Sequence, residues 1–439
     1  MNIDTLISAS WIIPIEPENT VLEDHAIAIN DGRIVAILPA AKAETQFQPG
    51  VHIRRQQHVL MPGLINAHGH AAMSLMRGLA DDLPLMDWLN HHIWPAENKW
   101  VNPEFVHHGS LLACAEMIKS GTTCFNDMYF FPDETARAAE HAGMRAVVGL
   151  IVLDFPTAWA QDADEYLQKG IALHDQLNGN SLISTAFAPH APYTVSDEPL
   201  SRIATYAEEL DIPIHIHLHE TAFEVQDSVE KFGIRPIERL QKLDLLNPGL
   251  IAVHMTQLEK EEINLLADSG VHVVHCPESN LKLASGFCPL QKLLEAGINV
   301  ALGTDGAASN NDLDMLGELR TAALLAKAVS GNASAAPAMQ ALQMATLNGA
   351  RALGLEAETG SLQTGKAADM IAIDLSDVDT QPVYQPMSQV VYAAGRHCIR
   401  DVWVAGKQLL RNGELTTLNS AAILEHARHW RDRLAEYES

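Results

Sequence analysis

Along the first 60 or so residues, apolar and polar positions alternate with a period near two, the mark of strands with one buried face. The stretch "HAIAINDGRIVAIL" holds two such runs joined by Asn30-Asp31-Gly32, a hairpin signal. No long helical period appears there. From about Leu60 the rhythm changes, and apolar runs of strand length alternate with amphipathic stretches such as "EFVHHGSLLACAEMIKSG" and "SDEPLSRIATYAEELD". The runs are "GLINAHGH", "GTTCFND", "RAVVGLIVL", "LISTAFAPH", "PIHIHLHE", "LIAVHM", "VHVVHCPESN" and "INVALGTDG". Eight strand–helix units in roughly 300 residues predict a parallel (β/α)8 barrel. After about Gly360 short strands return in "GKAADMIAIDL" and "IRDVWVAGKQLLRNGEL". The expected fold is α/β: a TIM-type barrel over 61–362 inserted in a small β-sandwich built from 1–60 and 363–416. A helix over 417–439 closes the chain.

Placing the polar residues on this pattern yields a site. His68, His70, Asp127, His190, His217, Glu220, His254 and Asp305 all fall at the C-terminal ends of the runs. In a barrel those ends share one face, where active sites are built. His68 and His70 stand two apart on an ending strand, about 6.6 Å between Cα atoms, and can close on one metal at about 2.0–2.1 Å per bond. A lone His-x-His pair is more often only a polar strand end, so the argument rests on the other clusters. In "PIHIHLHE", strict alternation puts His215, His217 and His219 on one face, and one of them would complete a three-nitrogen set. Asp305, in "GTDG", supplies a hard oxygen. Three histidines and one aspartate leave a coordination position open for water, as catalysis requires. His254, ending "LIAVH", is a transient ligand or a group behind the ligands. On a barrel strand His215 points down into the interior and His217 reaches the mouth. Glu220 reaches the site only if the chain turns after the strand.

Composition narrows the partners. The chain has 439 residues, 47% hydrophobic and 19% charged, with 29 basic and 55 acidic residues and a net charge of −26. That charge disfavours nucleic acid and anionic membranes. No apolar run reaches the ~18–20 residues of a membrane span, and the N-terminus lacks the pattern of a signal peptide; a cytoplasmic protein is expected. Five scattered cysteines without a Cys-x-x-Cys pair predict buried thiols, not a disulfide framework or a structural zinc site.

Together, "PGLINAHGH", "HLHE", His254 and "GTDG" resemble the amidohydrolase superfamily over almost the whole chain. Within it, "MSLMRGLADDLPLMDWLNHHIWPAE", "FAPHAPYTVS" and "GTDGAASNNDLDM" resemble the 5′-methylthioadenosine/S-adenosylhomocysteine deaminase group. The resemblance implies one zinc per chain on His68, His70, His217 and Asp305. It makes Glu220 the proton shuttle, Glu97 the acid that binds the ribose hydroxyls, His190 a substrate contact, and His254 the histidine beside the attacking water. Binuclear relatives carry a lysine at the fourth strand, where this chain has "TAFAPHAPY" with His190, which supports one metal. The implied chemistry is zinc-assisted attack of water on the amino-bearing ring carbon, with loss of ammonia. Asp305 accepts the water proton, Glu220 protonates the adjacent ring nitrogen, and His254 steadies the oxygen. The implied partner is a small nucleoside, and relatives commonly self-associate as homo-oligomers.

For the substrate carboxylate of S-adenosylhomocysteine, Arg77, Arg145 and Arg202 are candidates by position only. The acidic segment "DFPTAWAQDADEY" would repel that carboxylate if it lined the pocket, and "LADDLPLMDWL" offers apolar contacts, which favours neutral 5′-methylthioadenosine. Deamination of guanine, cytosine or a pterin, triazine hydrolysis, and a non-enzymatic scaffold are the competing readings.

Overall fold

The computed structural model describes residues 1–435; the last four positions of the expected C-terminal helix lie outside the described residues. Strands β1 (Asn2–Ile12), β2 (Leu22–Asn30), β3 (Arg33–Pro39) and β4 (Gln48–Pro62) open the chain. Asp31 and Gly32 make the β2–β3 turn, both at positive φ. A short helix, Ala40–Gln46, interrupts the strands; at seven residues it is too brief to leave a periodic signal.

Eight parallel strands follow: β5 (Leu64–Gly69), β6 (Thr122–Asp127), β7 (Arg145–Val152), β8 (Ile183–Pro189), β9 (Ile214–Leu218), β10 (Leu250–His254), β11 (His272–His275) and β12 (Val300–Leu302). They lie side by side in sequence order. Most are buried along their whole length, which is why they read as near-continuous apolar runs. On β9, Ile214, Ile216 and Leu218 pack into the main hydrophobic core. The alternate residues, His215 and His217, face the other way, toward His68.

The two chain ends join in one hydrogen-bonded sheet. Strands β13 (Met370–Asp374), β14 (Ile399–Val404), β15 (Lys407–Arg411) and β16 (Glu414–Leu415) continue it from β4, in the order β16-β15-β14-β13-β4-β1-β2-β3. The expected sandwich is thus one continuous eight-stranded sheet, with apolar clusters including Ile7, Ile27 and Trp403 on one side and Leu6, Ala26 and Phe47 on the other. The helix Ser420–Ala435 closes the described chain and packs Trp430 edge-on against Phe105, ring centroids 5.0 Å apart.

The barrel closes between its first and last strands. Asp305 N donates to His68 O at 3.1 Å. The Asn66 side chain donates to Thr304 Oγ1 at 2.8 Å and accepts from Thr304 N at 2.9 Å. Closure demands glycine at 303: a Cβ there would meet the backbone nitrogen of His68 at 2.8 Å and its carbonyl oxygen at 2.9 Å. Backbone cannot swing aside as a flexible side chain does. Gly303→Ala is expected to cost about 1–3 kcal/mol or more through overpacking, read by urea denaturation, and to lower metal content together with stability.

Candidate metal centre and active site

Three strand ends deliver the cluster: His68 lies on β5 and His70 just beyond it, His217 on β9, and Asp305 just beyond β12. Asp305 Oδ1 lies 3.3 Å from His68 Nε2 and 3.1 Å from His70 Nε2. His217 Nε2 is 3.2 Å from His68 Nε2. The ring nitrogens of His68, His217 and His254 form one compact group, and those of His68 and His70 with the Asp305 carboxylate form another.

The far side of each ring shows what the near side is for. His70 Nδ1 is 2.5 Å from Met128 O and His217 Nδ1 is 2.8 Å from His190 O. Carbonyl oxygens only accept, so these Nδ1 atoms carry the protons and both Nε2 atoms present lone pairs. His68 Nδ1 is 2.9 Å from His215 Nε2, and a proton shared there on the His68 side frees its Nε2 likewise. Three imidazole lone pairs and a carboxylate oxygen converging on one point repel one another unless a cation lies between them. Outer partners that fix each ring are the usual companions of metal-bound histidine. The residues therefore fit one divalent metal.

Electrostatics agree. Burial drives His68 down to about 4 and His217 well below its ordinary value, so both stay neutral and able to ligate. Burial also pulls His70 down, but its bonds to Asp305 and Met128 O win and raise it to about 9, so its Nε2 lone pair becomes available only when a cation displaces the proton it shares with Asp305. Burial pushes Asp305 up, yet its two histidine partners hold it well below the carboxylate range. Its Oδ2 accepts from Ser279 Oγ at 2.6 Å and Ser309 Oγ at 2.9 Å, which fixes the carboxylate plane.

His254 completes the floor. Its Nδ1 donates to Asn280 Oδ1 at 2.9 Å, and its Nε2 faces Glu220 Oε2 at 3.8 Å. Burial raises Glu220, which favours its protonated form. His254, His219 and Asp305 all lie at positive φ, and this backbone kink turns each strand-end residue out of strand parity.

Above the metal ligands lies a cavity of about 380 Å³. Glu97 stands on its wall, accepting a 2.7 Å hydrogen bond from the Tyr129 hydroxyl, and burial raises it to about 7. His190 lines it too, held by Thr194 Oγ1 at 3.0 Å and driven down to about 3 by burial, hence neutral. The rest of the wall is largely apolar, with Leu85, Trp88, Trp94 and Phe155 prominent. Among the described residues that line the cavity, none is lysine or arginine.

Seven of the eight proposed site residues thus line one cavity, and the eighth, fully buried His68, lies against His217 and Asp305. The three arginines lie elsewhere. Arg145 opens β7 instead of ending it, so it sits at the opposite end of the barrel, buried against Asp369 at 2.9 Å. Arg77 is paired with Glu116, and Arg202 with Asp164 and Glu198. The expected acidic repulsion also fails: Phe155 to Ala158 face the cavity, while Asp162 caps the helix Ala163–Leu177 and Asp164 holds Arg202. Of the three alternating histidines, His215 supports His68 as expected. His219 turns away, its Nδ1 3.2 Å from Gln257 O and its Nε2 accepting from Ile237 N. Tyr129, Asn280, Ser279 and Ser309 were not foreseen; Tyr129 follows the strand end at Asp127 by two residues, which was a usable signal.

The sequence matches the amidohydrolase family model over residues 59–409. The chain belongs to the amidohydrolase family. Among amidohydrolase relatives, a 5-methylthioadenosine/S-adenosylhomocysteine deaminase of Teredinibacter turnerae is 53% identical, with 98% of each chain covered. One of Saccharophagus degradans is 52% identical over 98% of this chain and 97% of its own. The crystal structure of an adenosine deaminase from Xanthomonas campestris with bound zinc superposes with a TM-score of 0.98 at 55% identity, covering 99% of both chains. All five cysteines of this amidohydrolase are buried and free, and no described helix is long and apolar enough to cross a membrane.

Two substitutions test the metal assignment. His217→Ala is expected to abolish stoichiometric metal in elemental analysis of the purified protein. His215→Ala, which removes only the partner of His68 Nδ1, is expected to weaken metal affinity about 10–100-fold.

Proposed function

We propose that this amidohydrolase deaminates adenine nucleosides hydrolytically, with 5′-methylthioadenosine preferred over S-adenosylhomocysteine. The observation that carries the reading is the pairing of the ligand cluster with a half-buried Glu97 across one cavity. The names of the relatives at 52–53% identity support the same reaction.

His68, His70, His217 and Asp305 would hold the metal, most consistently zinc, as in the Xanthomonas campestris structure. When bound, it supplies Lewis acidity that brings water toward a pKa of about 7. Glu97 accepts hydrogen bonds from the ribose diol, oriented by Tyr129. Glu220, whose carboxyl burial raises above its ordinary value, gives a proton to the ring nitrogen beside the amino-bearing carbon. Asp305 accepts a proton from the attacking water. His254, fixed by Asn280, orients that water, and His190 contacts the base. The net reaction replaces the exocyclic amine by oxygen and releases ammonia.

The 5′ preference follows from the missing cation. A carboxylate brought into this cavity would lose water without gaining a charged partner. A methylthio group loses nothing polar and packs on Phe155 and Trp94, whose rings meet at 6.4 Å.

A panel of adenine nucleosides, followed by loss of adenine absorbance and ammonia release, tests the activity; no turnover of any after zinc or manganese addition would overturn it. On kcat/KM, 5′-methylthioadenosine is expected to exceed S-adenosylhomocysteine by at least about tenfold, the equivalent of ~1.4 kcal/mol. Glu97→Gln is expected to lower kcat/KM on nucleosides by about 10–100-fold through lost charged hydrogen bonds, mainly in KM; an unchanged value would favour a free-base or triazine substrate.

A further inference from the structure

Strand parity poses a problem at the end of β9. With His217 facing the ligand cluster, an uninterrupted strand would point His219 inward and Glu220 outward. The chain avoids this by turning at His219, which adopts φ +52. The turn sends the His219 ring toward Gln257 and brings Glu220 into the cavity. Left-handed backbone is unfavourable for a residue with a side chain, so something must hold it there.

Glu224 does so. Its Oε1 accepts from His219 N and its Oε2 from Glu220 N, both at 2.8 Å. The carboxylate is 2% exposed. From the other side, Thr256 Oγ1 donates to Glu220 O at 2.7 Å. The arrangement departs from ordinary helix capping. Thr221 is the N-cap of the helix Ala222–Phe232 and accepts from Glu224 N. In a capping box the glutamate at N3 would return to the N–H of the cap residue itself. Here it reaches one and two residues farther, to the two peptide N–H groups that flank the His219 Cα. Burial raises Glu224 to about 8, while the two backbone N–H donors pull it back toward the ionised form, in which both oxygens accept.

We propose that Glu224 is a positioning residue for the reaction: it clamps the left-handed turn at His219 so that the Glu220 carboxyl is held at the ring nitrogen it protonates. This rests on the deaminase reading above. The carboxylate matters because both of its oxygens accept. A glutamine can satisfy one N–H and must present its own NH2 to the other.

The test is a double-mutant cycle with Glu224→Gln and Glu220→Gln, assayed on 5′-methylthioadenosine with metal content measured in each protein. Glu224→Gln alone is expected to lower kcat by about 10–100-fold, as a catalytic group displaced by about 1 Å does, with KM within about threefold and metal content unchanged. Added to Glu220→Gln, it is expected to cause no further loss, because the two act as one unit. Hydrogen–deuterium exchange at the amides of His219 and Glu220 should quicken in the variant. Unchanged kcat in Glu224→Gln, or losses that multiply in the double variant, would overturn the proposal. If Glu224→Gln does not fold, Glu224→Asp, which keeps the charge but shortens the reach, takes its place in the cycle. A wild-type protein inactive on every adenine nucleoside would sink the deaminase reading alone, since the exchange comparison still reports whether the clamp exists.

Discussion

The contact on which the rest of the molecule depends is the one that closes the barrel. The peptide of Asp305 bonds to that of His68, and the side chains of the same two residues meet over the metal position. Folding and site assembly are therefore not separate tasks. The carboxylate cannot drift from the imidazoles without opening the seam between first and last strands. The absence of a Cβ at Gly303 lets that seam close tightly enough for the pair to meet.

Around the seam, strand ends obey a second rule. Inside the strands, side-chain direction follows strict alternation, and His215 and His217 serve the site because of it. At the mouth, alternation is abandoned: His219, His254 and Asp305 each take a left-handed backbone conformation. Each bend re-aims a residue: Glu224 holds the first by its backbone N–H groups, while Asn280 holds the His254 ring and the two serines the Asp305 carboxylate. Chemistry here depends on residues that regular strand geometry would have pointed elsewhere.

This division explains what could be read from the sequence. The eight runs and the cluster that fits a metal were legible because type and position agree: histidines and an aspartate at the ends of apolar runs. His215 and His217 were separable by depth along one strand. Glu220 was legible only as a resemblance, since counting placed it on the wrong face and the turn that rescues it depends on a carboxylate four residues on. The arginines were misplaced for a simpler reason. Arg145 begins its run whereas the seven site residues carried on the strand runs lie at their ends, so it belonged at the far end of the barrel, where it ties β7 to Asp369 and the return sheet. The orientation of the "DFPTAWAQDADEY" segment was not legible, because which half of a loop faces inward is decided by tertiary partners such as Arg202.

The wide sequence spacing of the closing contact has a consequence for how the protein acquires its metal. Asn66 and Thr304, whose side-chain bonds flank the ligands, are 238 residues apart. During synthesis the two histidines of β5 emerge long before the aspartate, and on their own they make a weak, open chelate. The full donor set exists only after the last strand has docked. The shape that the converging side chains offer an ion is therefore a property of the joined barrel, not of any one segment of the chain.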